Sequence, residues 1–285
     1  MTQPQVPPAP AAWPAPTGRA GFGCALRSEL TKVRTVRSTY WLLGVLAAVT
    51  AGIGALIALG VAHSLAGEKA SDSAAQYAAQ VANIDPVYVS LAGLILGQLI
   101  IVVFGALVIT SEYSSGMVRA TLIALPRRGV VYAAKAVVFG GVALVAGLIT
   151  SFIAYFIGQA VLSAEQASVG LSHPHVLRAV IGGGLFLAVC GLLAFGVGAL
   201  LRHSAGAIAV SACLLFVTFI LWFFIPDSWQ QSIGRWFPFN AGSEIWQTRQ
   251  NFPHSASTWT GFAAFCVYAA VALIGGLIMF CGRDA

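Results

Sequence analysis

Six stretches of nearly unbroken apolar residues punctuate this chain, at roughly 40–62, 88–110, 136–159, 179–201, 205–225 and 259–281, each near the ~20 residues that a helix needs to cross a bilayer. Within them apolar residues run on without alternation, whereas a barrel strand alternates apolar and polar positions. A bilayer core offers no water to the backbone, so an uninterrupted apolar run predicts a helix that satisfies its own peptide groups. The predicted fold class is therefore all-α: a polytopic membrane protein with six transmembrane helices. An even number of crossings places both termini on one side.

The polar segments between the runs differ in character. Residues 1–19 form a Pro-rich tail with six of the twelve prolines and no charge before Arg19, a composition that predicts disorder. Its apolar content does not sit where a cleavable signal would place it. From about residue 20 to 38 an amphipathic helix is expected. Phe22, Leu26, Leu30 and Val33 share one face; Arg27, Thr31, Arg34 and Ser38 share another. Such a helix suits the membrane interface and contact with membrane lipid. It serves either as a topology anchor or also as a contact for a partner on that side. The segment 63–87 reads as a polar loop. The turn at 202–204 is so short that spans four and five form an antiparallel hairpin. The segment 226–258 carries Trp229, Trp236, Phe237, Phe239, Trp246 and Phe252, which predicts short helices at or dipping into the interface, anchored by an aromatic belt.

Composition sharpens the class. Of 285 residues 58% are hydrophobic and 8% charged, against roughly 25% charged in a soluble domain. The +6 net charge is unevenly placed. With the N-terminus inside, the inner segments hold Arg19, Arg27, Lys32, Arg34, Arg37, Arg119, Arg127, Arg128, Lys135, Arg202 and Arg283. The outer segments hold only Lys69, Arg178, Arg235 and Arg249. Eleven against four orients both termini to the cytoplasm. The charge is thus a topology signal; without a basic groove, no nucleic-acid partner is expected. Cys24, Cys190, Cys213, Cys266 and Cys281 include none in an outer loop, so no disulfide framework is implied.

Candidate chemistry is sparse. The six apolar runs contain no Asp, Glu, Lys, Arg or His, which disfavours ion-coupled transport and intramembrane acid–base catalysis. Gln98 is the one strongly polar side chain near a span centre, beside the small-residue pair Gly93 and Gly97. It marks either a close helix–helix contact or a polar spot on a translocation path. His173-Pro174-His175 in the 160–178 loop has the spacing of two metal ligands but no acidic or cysteine neighbours nearby in sequence. No Gly-x-x-x-x-Gly-Lys-Ser/Thr phosphate loop occurs, so no catalytic residue, metal or nucleotide site is expected in this chain.

Between spans two and three, Ser111 to Leu125 reads as a further helix that stops at Pro126. Val118, Leu122 and Leu125 repeat on one face, and Glu112, Gly116 and Arg119 on another. Arg127, Arg128 and Lys135 then restart the positive flank of span three. From spacing alone this is either a basic connecting loop or a docking helix.

Three places resemble the permease subunit of type-2 ABC exporters, the six-span kind common in high-GC Gram-positive bacteria. The entry from Leu26 through Glu29, Lys32, Arg34 and Arg37 to Trp41 is similar to the family's connecting helix and its passage into span one. Glu112, Tyr113, Gly116, Met117, Arg119, Thr121 and Leu122, with Pro126-Arg127-Arg128 and Lys135 behind them, resemble its cytoplasmic coupling helix. Phe237-Pro238-Phe239-Asn240-Ala241-Gly242 resembles the segment before the last span. Met117 departs from the Thr that many relatives carry. The resemblance covers nearly the whole chain after the tail, making residues 20–285 a permease domain. It implies two partner ATPase subunits that carry ATP and Mg, and a second permease copy or paralogue. An apolar path would suit an amphiphilic, drug-like or lipid-like substrate. Other readings are a membrane sensor or assembly protein on the same scaffold, or a secondary transporter.

Overall fold

A computed structural model describes residues 21–71, 73–114, 127–222, 224, 226–249 and 256–282. The fold is all-α, with no strand among the described residues. Six helical stretches are long and apolar enough to cross a membrane: Arg37–Gly67, Pro86–Tyr113, Arg128–Glu165, Val176–Leu201, Ser204–Leu221 and Thr258–Gly282. The protein is thus a multi-pass membrane protein built as predicted, with the spans numbered one to six in that order. The expected tail, residues 1–19, lies outside the described residues.

Span four is the hub. In its apolar window 78% of residues are buried, against 17% in span five. It packs on spans two, three and six, and its glycines allow the backbones to meet. At Gly196 a methyl group would run into the span-six backbone at Ala272. Spans one and two cross in the same way: a methyl at Gly93 would overlap the Thr50 carbonyl, and one at Gly54 the Ser90 carbonyl. Aromatic rings fill the gaps left by so many small residues. Phe139, Phe186, Phe195 and Phe265 are fully buried, and Phe139 stacks on Phe195 at 5.8 Å.

Two expectations need correction. The segment 63–87 is not a simple loop. The first spanning helix continues to Ser71, and a helix at Ala74–Asn83 follows, opened by a capping box between Ser73 and Gln76. Polar residues such as Glu and Lys are good helix formers, so loss of hydropathy marks where the membrane ends, not where the helix ends. Span two likewise starts early, at Pro86, where Asp85 accepts hydrogen bonds from the Val87 and Tyr88 amides at 3.1 Å.

The aromatic segment also differs from a plain interfacial belt. Short helices at Asp227–Ser232 and Pro238–Ser243 appear as expected. Trp229 is exposed, but Phe239 and Trp246 are wholly buried, Trp246 stacking on Tyr88 at 5.3 Å. This part is a plug wedged between spans rather than a row of anchors. Arg178 at the head of span four donates to the Gln247 carbonyl and to Thr258 Oγ1 at the start of span six, and Thr248 donates to Asp85, so the plug is tied to span four and to the start of span two.

Candidate functional site

Among the described residues, the densest charge cluster lies at the other end of the bundle. The N-terminal surface helix, Phe22–Thr35, turns Ala25 and Glu29 toward the spans. Lys32, three residues after Glu29, follows on the same side. Glu112 falls in the last turn of span two and Lys135 in the second turn of span three. Lys135 Nζ lies 2.6 Å from Glu29 and 2.7 Å from Glu112; Lys32 Nζ lies 2.8 Å from Glu29 and 2.9 Å from Glu112. Two carboxylates and two ammonium groups close a four-membered, charge-neutral ring. Lys135 is the deepest, with 4% of its side chain exposed. Burial pulls the Lys32 pKa down, but hydrogen bonds and charge from Glu29 and Glu112 outweigh it and hold the value above the usual lysine range.

The neighbouring residue on span two reaches the opposite way. Tyr113 lies under the Arg202 guanidinium, 5.1 Å from ring centroid to cation, and meets Phe280 of span six at 6.3 Å. Arg202 occupies the turn between spans four and five in a left-handed conformation, φ 55°, and donates to the Met279 carbonyl at 2.9 Å. Tyr132 of span three donates to the Leu273 carbonyl at 3.0 Å. Glu112 and Tyr113 therefore hold the end of span two from two sides. One grips the surface helix and span three, the other the span-four turn and span six.

Among the residues singled out from sequence, Glu29, Lys32, Glu112 and Tyr113 are brought together here. Arg34 and Arg37 are not; both are exposed on the surface helix and its corner. Gly116, Met117, Arg119, Thr121 and Leu122 lie outside the described residues. The apolar runs were expected to be free of charge. The structure extends the spanning helices past those runs and buries Glu112 and Lys135 at their ends. Lys135 was expected behind the coupling-helix motif, on the positive flank of span three, and Arg202 only as a topology charge. A signal was available: of nine acidic residues, only Glu29, Glu112 and Asp284 fall on the basic side of the chain. Rare acids among many bases, two of them beside apolar runs, point to buried pairs.

Gly93 and Gly97 form the close helix contact, with Thr50 seated against both. Gln98 is completely buried beside that crossing. Its amide donates to the Ile95 carbonyl at 3.0 Å, while its Oε1 and the Thr50 hydroxyl have no hydrogen-bond partner. His173 and His175 are exposed, and no group of three His, Cys, Asp or Glu that could hold a metal occurs among the described residues.

No family model matches this chain, and no curated protein matches it either. The functional reading therefore rests on the residues themselves.

Proposed function

We propose that this protein is the membrane-spanning permease subunit of an ATP-driven exporter of the ABC type. It works with a separate ATPase, which carries ATP and Mg, and with a second permease copy or paralogue. Both termini and the ion ring face the cytoplasm in this reading, because the basic residues concentrate there. The cargo is an amphiphilic, drug-like or lipid-like molecule.

The observation that carries the reading is the ion ring and its aromatic counterpart. A membrane protein with no partner has little need to lock a surface helix onto the ends of spans two and three with three buried charges and a half-buried one. Such pairs cost desolvation and are weak stabilisers. Their rigidity is useful where a force applied at the surface must reach the spans. The sequence that resembles the family's coupling helix begins at Glu112 and Tyr113 themselves, the residues that make this grip. An ATPase pressing on that segment and on the surface helix would move spans two, three and six together.

Affinity purification of the full chain in mild detergent tests this, with the co-purifying proteins identified by mass spectrometry. A stoichiometric ATPase with a phosphate-binding loop is expected. A folded, monodisperse chain that comes away with no ATPase, or whose export runs on a proton gradient without ATP, overturns the reading.

A further inference from the structure

The surface helix presents an apolar stripe that the protein leaves uncovered. Its bundle side holds Ala25 and Glu29, whereas Phe22 is 44% and Leu30 38% exposed. At about 100° per residue, Phe22, Leu26, Leu30 and Val33 lie between the bundle side and a basic edge formed by Arg27 and Arg34. A single non-helical residue, Val36, joins this helix to span one. The stripe must therefore sit within a few residues of the bilayer surface. The corner is fixed by the Tyr40 hydroxyl, which donates to the Arg34 carbonyl at 3.1 Å. Arg37, Tyr40 and Trp41 line an open recess there of about 230 Å³, and Trp41 is 76% exposed.

Among the described residues, the guanidinium groups at this corner have no carboxylate beside them. Arg27, Arg34 and Arg37 make no ion pair among the described residues, and the nearest acid on the helix, Glu29, is already held by Lys32 and Lys135. An apolar stripe at acyl depth, exposed aromatics at the start of a span and unpaired arginines beside them together describe a lipid surface.

We infer that Arg34 and Arg37 hold the headgroup phosphate of an anionic phospholipid in the adjoining leaflet, with its acyl chains along Trp41 and the Phe22–Leu30 stripe. The planar arginine fork matches phosphate oxygens in pairs. The missing counter-charge favours a headgroup with net negative charge over a zwitterionic one. The apolar stripe selects a lipid over an acidic soluble partner, which would leave it in water. This site is independent of the transport reading.

Native mass spectrometry of the full chain in mild detergent tests it, with phosphatidylglycerol and phosphatidylcholine of identical acyl chains as probes. The wild type should retain phosphatidylglycerol preferentially. Each basic residue at an anionic surface contributes about fivefold, so Arg34→Gln with Arg37→Gln should lose roughly 25-fold of that preference. Both positions are exposed, so melting should not change. Should the double variant fail to fold, Arg37→Gln alone should lose about fivefold. Arg235→Gln, at the opposite end of the bundle, should keep the preference. Equal retention of the two lipids by the wild type, or an unchanged preference in the folded variants, overturns the site. So does displacement of the lipid by millimolar inorganic phosphate, which would mark a small-anion site instead.

Discussion

At Lys135 an ammonium group is almost withdrawn from solvent, with Glu29 at 2.6 Å and Glu112 at 2.7 Å. Lys135→Met would take the deepest ammonium away from two buried carboxylates. Removing one member of a buried pair costs about 3–5 kcal/mol, so thermal unfolding in detergent should show a loss on that scale. Glu112→Gln should also destabilise, by leaving two ammonium groups on Glu29. Adding Lys32→Met to Glu112→Gln should recover much of the loss, because Glu29 and Lys135 remain as a complete pair. If the double variant is no more stable than the single, the four groups do not act as a ring. The raised Lys32 pKa fixes the sign of the pH effect. Its contribution is fully present below the unfolded lysine value of about 10.4 and is lost as pH rises through the higher folded value. The melting temperature of the wild type should therefore fall toward that of the double variant above about pH 10.5, with no such convergence at neutral pH.

Individual helices behave as their glycines dictate. Gly93 faces the Thr50 carbonyl at the crossing of spans one and two, whereas Gly52, also on span one, has open space where a side chain would grow. Overpacking a core typically costs about 1–3 kcal/mol, and at Gly93 the obstacle is backbone that cannot rotate away. Gly93→Val should fall at or beyond the top of that range, while Gly52→Val leaves unfolding near wild type. Equal effects in the two variants would contradict the close crossing. The crossing itself was legible in the Gly93 and Gly97 spacing, as were all six spans, because apolar runs without charge have few other uses. Helix ends were less legible. Glu112 and Lys135 lie within helices because helix formation continues past the membrane boundary, and each charge is neutralised by a partner far along the chain. The burial of Trp246 was hidden for a related reason. Aromatic residues between spans suit an interface equally well until the plug's ties to Asp85 and Arg178 are seen.

Across the whole molecule, side chains that were separate in sequence meet at one end: Glu29 and Lys32 on the surface helix, Glu112 and Tyr113 on span two, Lys135 on span three and Arg202 in the span-four turn. The resemblance to connecting and coupling helices had singled out Glu29, Lys32, Glu112 and Tyr113, with Lys135 behind them, but not their pairing, since contacts across 80 or 106 residues leave no local pattern. The orientation of this end is open to cysteine labelling once the native cysteines are replaced. Exposed Ser168→Cys should react from outside intact cells, and exposed Ser28→Cys only after permeabilisation; the reverse pattern would invert the topology. Force transmission is central to the proposed function, and ATP-dependent export by the proposed ATPase–permease complex in proteoliposomes tests it most directly, comparing wild type with the Lys32→Met, Glu112→Gln double variant. That variant keeps the Glu29–Lys135 pair, and hence the fold, but cuts the span-two tie to the surface helix. The account predicts that the variant still inserts, binds and supports ATP hydrolysis by its partner while export falls severalfold. Export at the wild-type rate by the folded variant would show that the ring does not carry the force.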